Sequence, residues 1–249
     1  MAGARFGVLG PIGVWHDGRR LDVGSPQQRG VLALLLLAEG RQVTLDDIVG
    51  ALWGPAAPRS AVVTARTYVS RLRRLLAEVA AEAELRSAGR GYRLLVDPAA
   101  VDVTTFRRTA ADARDARDRG EAAEAARLLR EALALWRGPA LDGLGGPFFE
   151  GRRTWLEQLR ASAVEERWAL DIGRGDCARA ITELTRATTA EPYRERWWEL
   201  LMWALDSEGR RDEALAAYRR IARLLDEELG LEPGPGLRRM HARISAALV

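Results

Sequence analysis

One predicted helix within residues 62–79 most constrains the fold, because its two sides have opposite chemistry. Apolar residues recur at the three- and four-residue spacing of a buried stripe, at Val62, Ala65, Val69, Leu72 and Leu76. Hydroxyl and guanidinium groups occupy the opposite side, at Thr64, Thr67, Ser70, Arg71 and Arg74. We predict a helix over residues 61–77, with Ser60 as its N-cap, that packs one side on a core and offers the other to an anionic partner. An ordinary amphipathic surface helix is the alternative interpretation.

A basic hairpin is predicted directly after this helix, over residues 85–96. Its sequence, LRSAGRGYRLLV, places Arg90 between two glycines at the tip, where the backbone can approach a partner closely. A helix followed by a basic hairpin is the arrangement with which a winged helix-turn-helix reads DNA, the helix in the major groove and the wing on the minor groove or phosphates. Arg66 and Arg73 lie at the edges of this polar side, where we expect them to contact phosphates. The predicted DNA-binding residues are therefore Thr64, Arg66, Thr67, Ser70, Arg71, Arg73, Arg74 and Arg90.

The positive charge of the chain is concentrated around these two elements. The net charge is only +3, but residues 59–93 contain eight arginines and three acidic residues, a local surplus of five. Such a patch suits a phosphate-binding surface. All 38 basic residues are arginine. Chemistry that needs lysine, such as a Walker A loop or a Schiff base with pyridoxal phosphate, is therefore excluded.

The residues before the helix predict a small sheet and two further helices. Short strands are predicted at residues 5–9, 13–16 and 21–23. Asp17-Gly18 is a hairpin turn signal between the last two strands. One helix begins at Ser25, with Gln28 completing a capping box, and the next begins at Thr44. Strands, helices and hairpin together make a predicted DNA-binding domain of residues 1–97.

Residues 98–249 are predicted to be all-helical and contain a repeat. Gly175 and Gly209 stand 34 residues apart, which is the tetratricopeptide period. An earlier copy begins at Gly120, with an insertion before the second copy. Each copy carries a small alanine that lets two helices approach, and a large residue four positions later that fills the groove. The predicted fold is mainly α: a winged helix-turn-helix with small β-sheets, followed by a tetratricopeptide-like domain with its own core.

Catalysis and metal binding have little support in the residues. His16 and His241 have no ligand or triad spacing around them, and Cys177 lies in a repeat turn where a small residue is favoured. We predict no catalytic residue, no metal and no cofactor.

No apolar run approaches the ~20 residues of a membrane span, and residues 1–5 show no secretory signal. A single cysteine fits a reducing compartment, so a cytoplasmic protein without membrane contact is expected.

Motifs along nearly the whole chain follow one another in a specific order. In the first predicted domain these are LWG at residues 52–54, YVSRLRRLL at 68–76 and GYRL at 91–94. In the second they are REALALWRGPAL at 130–141, RERWWELLM at 194–202, the segment 209–218 and ELGLEP at 228–233. With these motifs the chain resembles the Streptomyces antibiotic regulatory proteins, which join an OmpR-type winged helix to a bacterial transcriptional activation domain.

The resemblance implies a non-enzymatic transcription activator. Members of that family bind direct repeats in double-stranded DNA, typically as side-by-side homodimers, and recruit RNA polymerase to promoters of antibiotic and other secondary-metabolite gene clusters. A nucleoid-associated cytoplasmic protein is therefore expected, with a first domain like the effector domain of two-component systems. Larger relatives append an ATPase module. A chain without lysine resembles the short form, and the absence of a phosphoreceiver domain leaves its regulation open.

Two other functions stay open at this point. Trp197, Trp198 and Trp203 cluster in one predicted helix and cannot all face a core. Exposed aromatics on a helical groove suit a ligand, which would make the helical domain a small-molecule sensor that gates DNA binding. Packing between helices is the simpler interpretation of these residues. The other alternative is a helical-repeat scaffold whose basic hairpin contacts an acidic protein.

Overall fold

A computed structural model describes residues 3–79 and 82–246. The chain divides into two compact units: Met1–Asp112 with Arg130–Ala161, and Ala113–Leu129 with Ser162–Val249. Both units are discontinuous in sequence, so neither has the bounds of a predicted domain. The division of the chain at residue 97 stays a prediction. Met1 and Ala2, which begin the segment searched for a secretory signal, lie outside the described residues.

The first unit begins with a three-stranded antiparallel sheet of β1 (Ala4–Gly7), β2 (Gly13–His16) and β3 (Arg19–Leu21). His16 pairs with Arg19, so the predicted turn at Asp17-Gly18 is a two-residue hairpin loop. Both turn residues have positive φ angles, 49° and 80°, which is how Asp-Gly matches the twist of the flanking strands. Because the loop is this short, β3 begins before the predicted residues 21–23.

The next elements are α1 (Pro26–Leu37), α2 (Leu45–Trp53) and α3 (Ala61–Leu76). A second antiparallel sheet has the order β4 (Val43–Thr44), β6 (Gly91–Val96), β5 (Ala83–Ala88). The helices pack on one another, and α3 also packs on β5. These elements form the predicted winged helix-turn-helix, in which β5 and β6 are the wing.

The starts of these helices confirm part of the predicted capping. The Ser25 hydroxyl accepts a hydrogen bond from the Gln28 N–H at 3.3 Å. A reciprocal capping box is formed by α2, where the Thr44 hydroxyl accepts from the Asp47 N–H at 3.0 Å and the Asp47 carboxylate accepts from the Thr44 N–H at 2.9 Å. Ser60 occupies the N-cap position of α3 without a side-chain capping bond. Its backbone is helical rather than extended, whereas a capping side chain usually stands on an extended N-cap residue.

The remaining helices are α4 (Asp102–Asp118), α5 (Ala122–Ala134), α6 (Pro147–Gly173), α7 (Cys177–Ala190), α8 (Glu195–Ser207), α9 (Arg211–Leu229) and α10 (Pro235–Ala246). The glycines that begin the predicted repeats have positive φ angles of 80°, 88° and 73° and stand two residues before the first residues of α5, α7 and α9. The repeat alanines Ala125, Ala180 and Ala214 are at most 1% exposed. In the second unit α7 packs on α8 and α8 packs on α9. The tetratricopeptide-like prediction is confirmed.

Backbone groups just after β1 bind residues far along the chain within the first unit. The N–H groups of Val8 and Leu9 donate to the Asp102 carboxylate at 2.9–3.0 Å. Arg137 donates from its backbone to the Leu9 carbonyl and from its guanidinium to Asp102, both at 2.8 Å. The Leu141 N–H donates to the Val8 carbonyl at 2.9 Å. These bonds explain why residues beyond 97 belong to the first unit.

The tryptophans of α8 pack inside the second unit. Trp197 and Trp198 are 7% and 2% exposed, and Trp203 is half-buried. The Trp197 indole N–H donates to Glu165, and that of Trp198 donates to the Pro192 carbonyl, both at 2.8 Å. Helix packing accounts for Trp197 and Trp198.

No helix in the described ranges combines the length and apolar character needed to cross a membrane. The same ranges hold no group of three or more His, Cys, Asp or Glu residues placed to bind a metal ion.

Candidate nucleic-acid interface

The position of α3 is fixed by a stripe of side chains that are at most 3% exposed: Ala61, Ala65, Val69, Leu72 and Leu76. Val62 was predicted to belong to this stripe, and that prediction is wrong, because its side chain is 38% exposed. Ala61 takes the place. Residue 61 stands four positions before Ala65 and is in phase with the buried residues, whereas residue 62 is rotated by about 100° around the helix.

The opposite side of α3 presents the predicted polar residues to solvent. Thr67, Ser70, Arg71 and Arg74 are exposed, and Thr64 is half-buried. The Thr67 hydroxyl donates to the Val63 carbonyl one turn earlier at 3.0 Å, so its remaining lone pairs face outward. The side of the helix that would enter a groove thus carries short hydroxyl side chains and long guanidinium side chains together.

Arg73 stands apart from the other predicted residues, because it is engaged by the wing. Its Nε donates to the Leu85 carbonyl at 3.0 Å and its guanidinium donates to the Ser87 hydroxyl at 2.7 Å. The same guanidinium lies over the Tyr92 ring, 5.5 Å from its centroid. Arg73 therefore joins α3 to both strands of the wing.

The wing ends in a two-residue turn, Gly89-Arg90, between the paired residues Ala88 and Gly91. Arg90 is exposed at this tip, as predicted from the sequence. Gly91 is required by a close approach of β4, since a Cβ atom there would lie 2.0 Å from the Val43 carbonyl oxygen. A side chain at residue 91 would separate β4 from β6 and shift the tip.

Most arginines of this region lack a counter-charge within the molecule. Among the described residues, no ion pair or side-chain hydrogen bond engages six exposed arginines: Arg59, Arg66, Arg71, Arg74, Arg90 and Arg93. Two acidic residues nearby are already bound, whereas Asp46 is exposed at the start of α2. Glu78 pairs with Arg19 at 2.8 Å, and Glu84 pairs with Arg86 at 2.6 Å, a hydrogen bond that lowers the pKa of Glu84. The six arginines leave a positive surface that favours an anionic partner.

The helix and the wing enclose a cleft of about 610 Å³. Val62 and Arg66 line it from α3, and Arg90 and Tyr92 line it from the wing. Asp46 of α2 is its one acidic lining residue among those the structure describes. Two of the predicted DNA-binding arginines are thus brought to one cleft, while Arg71 and Arg74 lie on the outer side of α3.

Three residues of this surface are not among the predicted DNA-binding residues. Arg59 in the loop before α3 and Arg93 on β6 are exposed and belong to the six arginines without an ion pair among the described residues. Val63 is 66% exposed, four residues before Thr67 and seven before Ser70. This helical spacing places residue 63 on the polar side of α3, but the prediction from the sequence included only polar residues there.

The family model of the bacterial transcriptional activator domain matches residues 101–245. Regulatory protein AfsR from Streptomyces coelicolor is 45% identical over 98% of this chain, and the chain spans about a quarter (24%) of the AfsR length. Transcriptional regulator RedD from the same species is 37% identical over 96% of this chain and 69% of RedD. Transcriptional regulatory protein MoaR1 from Mycobacterium tuberculosis is 36% identical over 98% of this chain and 80% of MoaR1.

A solved structure has a similar fold. Mycobacterium tuberculosis EmbR, in complex with a low-affinity phosphopeptide, superposes with a TM-score of 0.94 and 34% identity, covering 99% of this chain and 66% of that chain. The family model, the relatives and this structure agree with the sequence motifs. The chain belongs to the Streptomyces antibiotic regulatory protein family of transcriptional regulators.

Proposed function

We propose that this regulator activates transcription by binding specific double-stranded DNA through α3 and the wing. The observation that carries the proposal is a set of six exposed arginines on α3, the loop before it and the wing, none of which has an ion pair within residues 3–79 and 82–246. A phosphate backbone supplies the missing negative charge, and release of its counterions drives binding. The proposal includes no catalytic step and no cofactor, and it places the protein at the nucleoid, where the DNA is.

Each side chain has a distinct task in this proposal. Arg71 and Arg74 reach base edges in the major groove, where guanidinium groups pair with guanine. Thr64, Thr67 and Ser70 contact bases or phosphates through their hydroxyls. Arg66 and Arg90 bind phosphates on the two sides of their shared cleft.

Activation requires a second surface, which we assign to residues 98–249. In the proposal two copies of the chain bind adjacent direct repeats as a side-by-side homodimer, and the helical region contacts RNA polymerase. Linked binding of two protomers raises the affinity for a double site without any new base contact. The target is proposed to be a promoter of an antibiotic or other secondary-metabolite gene cluster.

DNA binding is tested by an experiment in which the full chain selects the duplexes that it binds from a random pool. The expected product is one sequence present as two copies in the same orientation, bound in the presence of excess scrambled duplex. Changing the spacing between the copies by half a helical turn is expected to reduce affinity, because the protomers then lie on opposite sides of the duplex. A pool without an enriched sequence would reject the proposal.

A sensor role for the tryptophans has less support. The indole groups of Trp197 and Trp198 are buried and hydrogen-bonded within the second unit, so they offer no open aromatic surface. Titration of the intrinsic tryptophan fluorescence with a metabolite extract tests the sensor alternative.

The scaffold alternative predicts that the basic hairpin binds an acidic protein as well as it binds DNA. The unpaired arginines of α3 favour DNA, because a hairpin contact alone leaves Arg71 and Arg74 without a partner. Competition between polyglutamate and the selected duplex separates these two functions.

A further inference from the structure

We propose that Val63 is a specificity-determining residue that contacts the C5-methyl group of one thymine in the major groove. This inference rests on the proposed function of α3 and adds the chemical class of a base that it reads. Val63 is 66% exposed, more than any other large apolar side chain among the residues that the structure describes.

The stability of α3 gives no reason for a valine at this position. Its side chain lies outside the buried stripe, so it contributes little apolar burial to the core. A β-branched residue is also a weaker helix former than alanine, because its χ1 rotation is restricted in a helix. The side chain therefore costs stability where it stands, and a contact outside the molecule would explain it.

The location of Val63 suits a contact to a base edge. It lies in the first turn of α3, and the N-terminal residues of a recognition helix are those that reach the bases. Val63, Thr67, Ser70 and Arg74 follow one another at spacings of four, three and four residues, so they form one line along the helix. Val63 is thus the apolar member of the row that faces the groove.

The chemistry of the major groove restricts what an apolar side chain can read there. Guanine, cytosine and adenine present hydrogen-bond donors and acceptors, whereas thymine adds a methyl group. A valine that faced a donor or acceptor would leave that polar group without its water, which is unfavourable. Contact between the Val63 methyls and the thymine methyl instead buries apolar surface on both sides.

Replacement of thymine by uracil tests this contact, since uracil lacks only the C5-methyl group. Each thymine of the selected duplex is replaced in turn, and the dissociation constant of the full chain is measured by fluorescence anisotropy. We expect one thymine in each half-site at which the wild type loses about fourfold in affinity, equivalent to about 0.8 kcal/mol for one buried methyl group. With Val63→Ala the same replacement is expected to change affinity by less than about 1.5-fold, because the side-chain methyls that the thymine contacts are absent.

Two further variants complete the design. Val63→Thr keeps one γ-methyl and is expected to retain part of the uracil effect. Leu229→Ala removes another exposed apolar side chain, 48% exposed on α9, and is expected to keep the full effect. A uracil effect of equal size in wild type and Val63→Ala would overturn the inference, as would a selected duplex with no uracil-sensitive thymine. Failure to select any duplex would instead reject the proposed function itself.

Discussion

The Nε atom of Arg73 donates a hydrogen bond to the backbone carbonyl of Leu85 at 3.0 Å, and this bond joins α3 to the wing. The Ser87 hydroxyl and the Tyr92 ring bind the other parts of the same guanidinium. The Arg73 side chain therefore adds polar contacts between α3 and the wing to the packing of α3 on β5. A guanidinium held in this way has less freedom to bind a phosphate than those of its neighbours.

Arg73→Ala is expected to loosen the wing in the free protein. Amide hydrogen exchange of β5 should become faster, because the Arg73 bonds to Leu85 and Ser87 are lost. DNA affinity should fall, while the slope of log affinity against log salt stays unchanged, since no phosphate contact is removed. Arg74→Ala is the matched control, with unchanged exchange in β5. A reduced salt slope with unchanged exchange would show instead that Arg73 binds a phosphate, as the sequence predicted.

Arg90→Ala tests the wing tip. Arg90 is exposed and unpaired among the described residues, so its replacement should leave the unfolding free energy unchanged. Affinity for the selected and the scrambled duplex should fall by the same factor, and the salt slope should fall by about one unit, as expected for one phosphate contact. A loss confined to the selected duplex would assign Arg90 to groove-width or base reading.

Local signals made the order of three strands, three helices and a hairpin in residues 1–97 predictable, whereas the two-residue strand β4 was not predicted because it forms by pairing with the distant β6. Asp17-Gly18 specifies a two-residue turn, and the apolar spacing of residues 65–76 identifies the buried side of α3. Val62 was misplaced because it stands three residues before Ala65, a spacing that the buried stripe also uses, whereas Ala61 is the residue in phase with the stripe. The role of Arg73 also depends on a contact with β5, which no local pattern encodes.

The contacts of residues 8–10 were not predictable for a related reason. Asp102 and Arg137 bind this segment across more than 90 residues of chain, and single residues at such separations leave no periodic signal. The sequence predicts a division after residue 97, which stays a prediction, and the first compact unit also includes Arg130–Ala161. Of the candidate interface, the polar residues were found by charge and spacing, and Val63 was missed because it is apolar.

Asp102→Asn is expected to destabilise the first unit by about 2 kcal/mol. The carboxylate, 10% exposed, accepts from two backbone N–H groups and the Arg137 guanidinium. Burial raises the pKa of this carboxyl in spite of these bonds, so the cost comes from the amide N–H group, which cannot accept from the surrounding donors and leaves a buried donor without its partner. Urea unfolding of the full chain, followed by circular dichroism, measures the change. Asp118→Asn on the same helix removes an exposed ion pair with Arg117 and should change stability by less than about 0.5 kcal/mol. Equal effects of both variants would contradict the structural role of Asp102.

Glu183 is expected to make the second unit sensitive to acid. Burial raises its pKa, but hydrogen bonds from Arg179, Trp168 and Arg167 outweigh burial and lower the pKa to about 2, from 4.5. Because the unfolded state binds this proton more tightly, the stabilisation is complete above about pH 4.5 and is lost as the pH falls toward about 2.

The variant Glu183→Gln isolates this contribution. It should be less stable than the wild type at pH 7 by about 2 kcal/mol, and the difference should shrink through that window. Unfolding midpoints measured at pH 7, 4 and 3 give the comparison. A difference between the two proteins that is the same at every pH would mean that the Glu183 charge contributes nothing.

DNA binding by the outer side of α3 is tested most directly by the ratio of affinities for the selected and the scrambled duplex. Arg71 and Arg74 project away from the buried stripe, so Ala at either position should leave folding unchanged. Each replacement of a base-reading arginine should cost about 1–3 kcal/mol on the selected duplex and much less on the scrambled one. The ratio of the affinities for the selected and the scrambled duplex is expected to fall in both single variants. An unchanged affinity for the selected duplex in both would contradict the placement of α3 in the groove.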